Sequence, residues 1–268
     1  MATAHHTHNL KEKLPINHHT RSMRTASLTA GLALALMAVL AAFGVFGAVG
    51  TLITPGDAAK TAQDISESQA LFRQGIASLI LVAVLDIVAA GALFTLFAPV
   101  DRSVSLMAAG FRVAYAAVYV VAIIQLVVAL GLLSDPDQAL RSIDAYGTVW
   151  RVGLILFGVH LLLIGYLAYR SGFMAKVFGI LLVVAGLGYL ADGFGAVLVP
   201  DYSTSIGQFT FVGEVALILW LLIKGSRKDF SHGQADQGHQ LDPESLANTP
   251  VGKNPRRQPA SSTFGERS

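Results

Sequence analysis

Long apolar stretches without an acid, a lysine or an arginine place the strongest constraint on how this chain can fold. Residues Thr25 to Gly56, Val113 to Ser134 and Val152 to Tyr169 contain no Asp, Glu, Lys or Arg. A hydrocarbon core of about 30 Å needs about 20 apolar residues for each spanning helix. Of all residues, 53% are hydrophobic and 13% are charged, against roughly 25% charged in an average soluble domain. The chain is therefore predicted to be an integral membrane protein.

Six apolar stretches have the length of a membrane-spanning helix. They show no alternation of apolar and polar residues with a period of two, and lipid cannot satisfy the open edge of a sheet. The predicted fold class is therefore all-α: a polytopic integral membrane protein whose six transmembrane helices form a bundle. The predicted spans cover residues 27–53, 75–97, 105–133, 149–169, 175–199 and 207–223.

Both ends of the chain differ in composition from this membrane domain, which is predicted to cover residues 25–226. Residues 1–24 are rich in histidine and are predicted to be a disordered cytoplasmic leader, with Met23 as an alternative start. Residues 227–268 are rich in Gln, Asp, Ser, Pro and Gly and are predicted to be a disordered cytoplasmic tail. Ten basic residues flank the spans on the side of the termini and four flank them on the other, which favours cytoplasmic termini.

Composition also excludes several classes of protein. The chain has no cysteine, so disulfides, thiolate-held iron-sulfur clusters and thiol nucleophiles are excluded. Its net charge of +2 and the lack of an extended basic face argue against nucleic acid as a partner. Neither H-E-x-x-H nor G-x-S-x-G occurs, and His160 is the only histidine in the predicted spans. We therefore predict no metal site, cofactor or catalytic residue, and an enzyme is the less favoured class.

Two segments between spans carry the signals of helix N-termini. Thr54-Pro55-Gly56-Asp57 offers a hydroxyl at the cap and proline at the first helical position, and Asp135-Pro136-Asp137 repeats this arrangement. Each is predicted to begin a short surface helix.

Ionisable side chains inside a span each cost about 3 kcal/mol, so they mark obligatory pairing or function. Away from the ends of the predicted spans lie five such residues: Asp86, Arg112, His160, Asp192 and Glu214. Asp86 and Arg112 lie at similar depths in two spans that a short connection makes antiparallel neighbours, and we expect them to form a buried ion pair. Tyr115 and Tyr119 follow Arg112 on the same helix face and are predicted to support it. A structural pair that holds the two helices together is favoured over a catalytic or transport role.

Asp192 and Glu214 each lie seven residues from the predicted outer end of their span, and the two spans form the last hairpin. The two carboxyls are therefore expected to lie level, with His160 slightly deeper and Tyr189 as a supporting polar group. Neighbouring carboxyls in a low dielectric do not both ionise cheaply, so these residues are candidates for binding a proton or cation. The structural alternative is a single protonated acid, or a pair between Glu214 and either His160 or Arg151.

Short polar motifs recur in a recognisable order along the spans: Thr54-Pro55-Gly56-Asp57-Ala58-Ala59, Val84-Leu85-Asp86, Pro99-Val100-Asp101-Arg102-Ser103, Gly158-Val159-His160-Leu161, Gly186-Leu187-Gly188-Tyr189-Leu190-Ala191-Asp192 and Val212-Gly213-Glu214. From about Arg24 to Arg227 this order resembles the domain of unknown function 4386 family, a group of mainly bacterial multi-pass membrane proteins. The resemblance implies fold and membrane placement, and we expect the bacterial inner (plasma) membrane. It implies no reaction, ligand or cofactor.

Three hypotheses of function follow from these residues. The favoured one is proton- or cation-linked transport of a small solute, in which Asp192 and Glu214 titrate and His160 passes or stabilises the proton. The second is a non-catalytic membrane scaffold or accessory protein whose buried charges are structural. The third is a membrane-embedded enzyme acting on lipid, with a carboxyl and His160 as acid and base. The lipid bilayer, a proton, a small cation and a small solute are the expected partners, and no oligomeric state is predicted.

Overall fold

The computed structural model describes residues 16–200, 202, 206–207 and 212–226, with side chains from Met23 to residue 223 of those ranges. Residues 1–15 of the predicted leader and the predicted tail, 227–268, lie outside the described residues. The first helix begins at Ile16, so it includes the last part of the predicted leader. Met23 is buried in the core, which ties that part of the chain to the membrane domain.

The regular secondary structure of the described residues is entirely helical. Helix α1 continues into a π-helical segment and a short 3-10 turn, and a surface helix, α2, precedes α3. The elements are α1 (Ile16–Ala42), the π-helix (Phe43–Val49), the 3-10 turn (Gly50–Leu52), α2 (Ala58–Glu67), α3 (Gln69–Phe97), α4 (Arg102–Gly131), α5 (Pro136–Arg170), α6 (Lys176–Leu198) and α7 (Val212–Ser226).

Five of these helices are long and apolar enough to cross a membrane, and α7 is a shorter apolar helix. Apolar side chains cover the outside of the bundle, as on α3, where Val84 and Ile87 are more than half exposed while Asp86 between them is buried. An outward apolar surface with an inward polar residue is the arrangement expected of helices in lipid. The predicted all-α, polytopic membrane bundle is confirmed.

Aspartates cap three of the helices. The carboxylates of Asp57, Asp101 and Asp135 accept from backbone N–H groups in the first turns of α2, α4 and α5. The predicted surface helix after Thr54 exists, but its cap is Asp57 rather than the threonine. The prediction of a second short helix after Asp135 is wrong, because α5 continues from that cap without a break to Arg170. No proline or glycine turn interrupts this helix, so it joins a surface portion to a span.

The five long helices and the shorter α7 close into a ring. Consecutive helices pack together from α3 through α6, and α7 packs against both α6 and α1, while α1 packs against α3. The contact between the first and last helices includes a hydrogen bond of 3.2 Å from the Ser27 hydroxyl to the Leu221 carbonyl oxygen. Surface helix α2 lies against α5. This arrangement gives α3, α4, α5, α6 and α7 inward faces on which buried polar groups can meet.

Glycines let α5 and α6 approach at the level of their backbones. Gly158 faces Gly186 and Gly165 faces Gly179, as expected for two antiparallel helices with glycines seven residues apart. A β-carbon added at Gly165 would lie 2.8 Å from the Gly179 carbonyl oxygen, and one added at Gly186 would lie 2.7 Å from that of Gly158. Side chains at these positions would force the helices apart.

We predict that Gly165→Ala lowers the free energy of unfolding by about 1–3 kcal/mol, because the new methyl group meets backbone rather than a flexible side chain. Gly147→Ala on the same helix is the matched control, since nothing lies within 4 Å of its added β-carbon. That control is expected to be neutral or to stabilise by about 0.5–1 kcal/mol. Thermal unfolding of the detergent-purified variants measures the difference, and equal melting temperatures would contradict the close helix contact.

Candidate functional site

A buried ion pair joins α3 to α4. Arg112 Nη2 lies 2.7 Å from Asp86 Oδ1, and the side chains are 3% and 1% exposed. Asp86 is placed inward by the small residues Ala83, Ala89 and Ala90 on its own helix face, all of which are buried. The two charges cancel inside an apolar bundle, where either one alone would be costly.

His160 on α5 completes this cluster as a neutral acceptor. Arg112 Nη1 lies 3.1 Å from His160 Nε2, and the Ala108 carbonyl oxygen lies 2.8 Å from Nδ1. A guanidinium can only donate and a carbonyl oxygen can only accept. The imidazole therefore carries its hydrogen on Nδ1 and receives the hydrogen bond from Arg112 on Nε2. Both ring nitrogens are occupied, and the ring is uncharged.

Aromatic rings enclose the cluster. The guanidinium carbon of Arg112 lies 5.4 Å from the centre of the Phe157 ring, a cation–π contact. Phe157 also contacts His160, Tyr115 and Tyr189, with ring centres 5.7, 4.9 and 5.5 Å away. Tyr115 in turn stacks on Tyr119. Phe157 is thus the apolar centre that connects the ion pair to α6.

Two buried polar atoms of the cluster, Arg112 Nε and Asp86 Oδ1, have no hydrogen-bond partner among the described residues. Arg112 Nε is buried and unpaired, and the contact between Nη2 and Asp86 Oδ1 is short without the alignment of a hydrogen bond. The Met37 sulfur of α1 lies 3.9 Å from Arg112 Nη2 and is a weak hydrogen-bond acceptor for it. A buried donor left unpaired is costly, so Arg112 is held by charge rather than by complete hydrogen bonding.

Asp192, near the end of α6, accepts three hydrogen bonds. Its oxygens accept from the Tyr202 hydroxyl at 2.8 Å, from the Ile206 N–H at 2.8 Å and from the Gly207 N–H at 2.6 Å. The hydrogen bond to Asp192 raises the pKa of the Tyr202 phenol. A β-carbon at Gly195 would collide with the Tyr202 ring, so the glycine makes room for it. Asp192 therefore anchors the connection that leads to α7.

Glu214 on α7 has a different environment. Its Oε1 accepts one hydrogen bond, of 2.7 Å, from the Tyr189 hydroxyl on α6. The preceding residue, Gly213, approaches the α6 backbone so closely that an added β-carbon would lie 2.5 Å from the Leu181 carbonyl oxygen. This close approach brings the partly buried carboxyl of Glu214 within reach of Tyr189.

The structure groups the predicted residues differently from the sequence analysis. Asp86 and Arg112 meet as expected, Tyr115 lies beside Phe157, and Tyr119 stacks on Tyr115. His160 joins Arg112 instead of the two acids of the last hairpin, because its face of α5 points to α4. Asp192 and Glu214 share no hydrogen bond in the described part of the chain. The Tyr189 ring contacts Gly207 beside Asp192 while its hydroxyl binds Glu214, so the tyrosine lies between the two acids.

Three residues that contact Arg112 or Asp192 were not predicted from the sequence: Phe157, Tyr202 and Met37. Phe157 had a visible signal, because it lies three residues before His160 and therefore on the same helix face. Tyr202 reaches Asp192 across an irregular connection, and Met37 comes from a helix distant in sequence, so local patterns do not reveal either. Within the described residues, no three His, Cys, Asp or Glu side chains lie close enough to hold a metal ion.

We predict that Asp86→Leu alone or Arg112→Met alone lowers the free energy of unfolding by about 3–5 kcal/mol, because each leaves an unpaired buried charge. The double variant is expected to recover most of this loss, which a double-mutant cycle in chemical denaturant measures. The exposed Lys60–Asp64 pair, at 2.8 Å, is the control. Its coupling is expected to be about 0.5 kcal/mol or less. Additive losses at Asp86 and Arg112 would contradict a dependence of each charge on the other.

Comparison with known proteins identifies the family of this chain. The sequence profile of the family described as Domain of unknown function (DUF4386) matches residues 29–225. An uncharacterized protein of Archaeoglobus fulgidus is 34% identical over 152 residues, which is 57% of this chain and 84% of that relative. No solved structure matches the chain. The profile match covers well over half of the chain, from α1 to α7, and the protein therefore belongs to the DUF4386 family of membrane proteins.

Proposed function

We propose that this protein transports a small solute across the membrane in a proton-linked cycle, with Glu214 as the proton-carrying group. The observation that carries the proposal is the environment of Glu214, whose one described hydrogen-bond partner is the neutral phenol of Tyr189. A carboxylate in an apolar bundle without a cation or several donors is costly, whereas the protonated acid is not.

Charge balance singles out Glu214 among the buried acids. Asp86 is neutralised by Arg112, and His160 adds no charge because it accepts from the arginine. Asp192 is compensated by three donors, two of them backbone N–H groups. Glu214 is the acid that a proton stabilises most. In the other form of this proposal, a small cation instead of a proton binds the Glu214 carboxyl.

Gain and loss of the proton supply the driving force. Protonated Glu214 is compatible with the closed contact that α7 makes with α6. The deprotonated carboxylate favours any arrangement in which it meets water, so the proton shifts the population of two states by its different affinity for each. Asp86, Arg112 and His160 stay as the fixed part of the bundle. We place the protein in the bacterial inner membrane with both termini in the cytoplasm, where the lipid bilayer, the proton and the solute are its partners.

The scaffold hypothesis remains a second candidate, favoured by one observation. Asp86, Arg112 and His160 bind one another, as expected if these charges serve only to join α3, α4 and α5. The lipid-acting enzyme is less favoured, because a general base needs a free ring nitrogen and both nitrogens of His160 are engaged.

Stability separates the roles of the two acids of the last hairpin. We predict that Asp192→Asn lowers the free energy of unfolding by about 1.5–3 kcal/mol, because an amide cannot replace both oxygens that accept from three donors. Glu214→Gln is expected to change it by about 0.5 kcal/mol or less, since the amide oxygen still accepts from Tyr189. Thermal unfolding in detergent measures both. Equal losses would show that Glu214 is as structural as Asp192 and would favour the scaffold.

Transport is tested in proteoliposomes that enclose a pH-sensitive dye. With an acidic exterior, we add monocarboxylates, neutral amino acids or sugars in turn and follow the internal pH. At least one solute class is expected to accelerate proton entry in the wild type. Glu214→Gln is expected to slow this entry about 100-fold or more, the lower end of what a positioned acid–base group contributes.

Glu67→Gln is the matched control, because Glu67 lies on exposed helix α2 and bonds locally to Gln63. It is expected to transport like the wild type. If no solute class changes proton entry in the wild type, or if Glu214→Gln transports normally, proton-linked transport through Glu214 is wrong.

A further inference from the structure

A cleft opens where the middle third of α5 meets the end of α6. It has a volume of about 340 Å³, and Thr148 and Arg151 of α5 line one side. Val197, Leu198 and Val199 line the other, and Tyr202 closes the wall. Neither the Asp86–Arg112 pair, His160 nor Glu214 is among the described residues that line this cleft.

Arg151 brings an uncompensated cation to the cleft. Its Nε makes one long contact, of 3.4 Å, with the Gly147 carbonyl oxygen of its own helix. It makes no other hydrogen bond and no ion pair with any residue that the structure describes. The described residues lining the cleft include no acid. A guanidinium with free N–H groups is the preferred protein ligand of a phosphate group.

The opposite wall is apolar and open. Val197, Leu198 and Val199 are 60%, 73% and 52% exposed, at the point where α6 ends. Trp150, next to Arg151, is also partly exposed, and tryptophans concentrate at the membrane–water interface. The cleft thus combines a cation with an apolar surface, the two features that a lipid headgroup and the start of its acyl chain require.

We propose that this cleft is a binding site for an anionic phospholipid. The phosphate group pairs with Arg151, the Thr148 and Tyr202 side chains line the headgroup space, and the first part of an acyl chain covers Leu198 and its neighbours. An anionic headgroup fits better than a zwitterionic one, because the guanidinium of Arg151 attracts net negative charge and makes no ion pair with a described residue.

The bound lipid would also steady the connection before α7. Tyr202 forms part of the cleft and donates to Asp192, the residue that holds the Ile206 and Gly207 backbone. A lipid packed against Tyr202 therefore favours the anchored form of this connection. The effect on stability is independent of whether Glu214 carries a proton.

The test is thermal unfolding of the full chain in detergent with added dioleoyl phosphatidylglycerol or dioleoyl phosphatidylcholine. In the wild type, phosphatidylglycerol is expected to raise the melting temperature by about 3 °C more than phosphatidylcholine does, as selective binding to the folded state requires. Arg151→Gln is expected to abolish this difference. Arg141→Gln, on the exposed side of the same helix, is expected to keep it.

A second variant fills the cleft and leaves the cation in place. Thr148→Trp is expected to remove the phosphatidylglycerol effect, and it decides the question if Arg151→Gln does not fold. Equal effects of the two lipids on the wild type, or a phosphatidylglycerol effect that survives in both cleft variants, would overturn the proposal. Glycerol 1-phosphate is the last comparison. If it stabilises the wild type as strongly as phosphatidylglycerol, the cleft binds soluble anions rather than lipid.

Discussion

The ion pair between Asp86 and Arg112 is the interaction on which the interior of this bundle depends. Lipid offers no compensation to a buried charge, so the guanidinium must find its partners on neighbouring helices. It takes a carboxylate from α3, an imidazole nitrogen from α5 and the face of Phe157. These contacts fix the rotation of three helices at once, and they determine the protonation of His160, which can only accept from the arginine.

The two acids of the last hairpin show how chemical role follows from the number of donors. Asp192 receives hydrogen bonds from three groups of the chain segment that follows α6, so its charge is spread over fixed dipoles and its position is set. Glu214 receives one, from Tyr189. Two acids at the same predicted depth in the membrane therefore differ in chemistry. Asp192 has three donors that compensate a negative charge, and Glu214 has one among the described residues.

The sequence alone predicted the features that depend on hydrophobic length and on helix neighbours. Uncharged stretches predicted the helical membrane fold, and a short connection between two spans was enough to bring Asp86 to Arg112. The partner of His160 was not predictable from depth, because it depends on the rotation of α5. The glycines at positions 158, 165, 179 and 186 carried a signal in their sevenfold spacing, which indicates the faces through which α5 and α6 meet. The contacts of Asp192 cross an irregular segment, where no periodic pattern exists.

The backbone contacts of α5 with α6 and the hydrogen bonds of Asp192 and Glu214 determine which part of the bundle is able to move. Helices α5 and α6 touch through backbone atoms at the paired glycines, and a shift between them meets carbonyl oxygens at once. The Gly207 N–H before α7 is held by Asp192, whereas the Glu214 carboxyl accepts one phenolic hydrogen bond. Glu214 lies in the first turn of α7, beside Gly213, which packs against the α6 backbone. In the proposed cycle, loss of the Glu214 proton would therefore act on this first turn, while the paired glycines of α5 and α6 keep their contact.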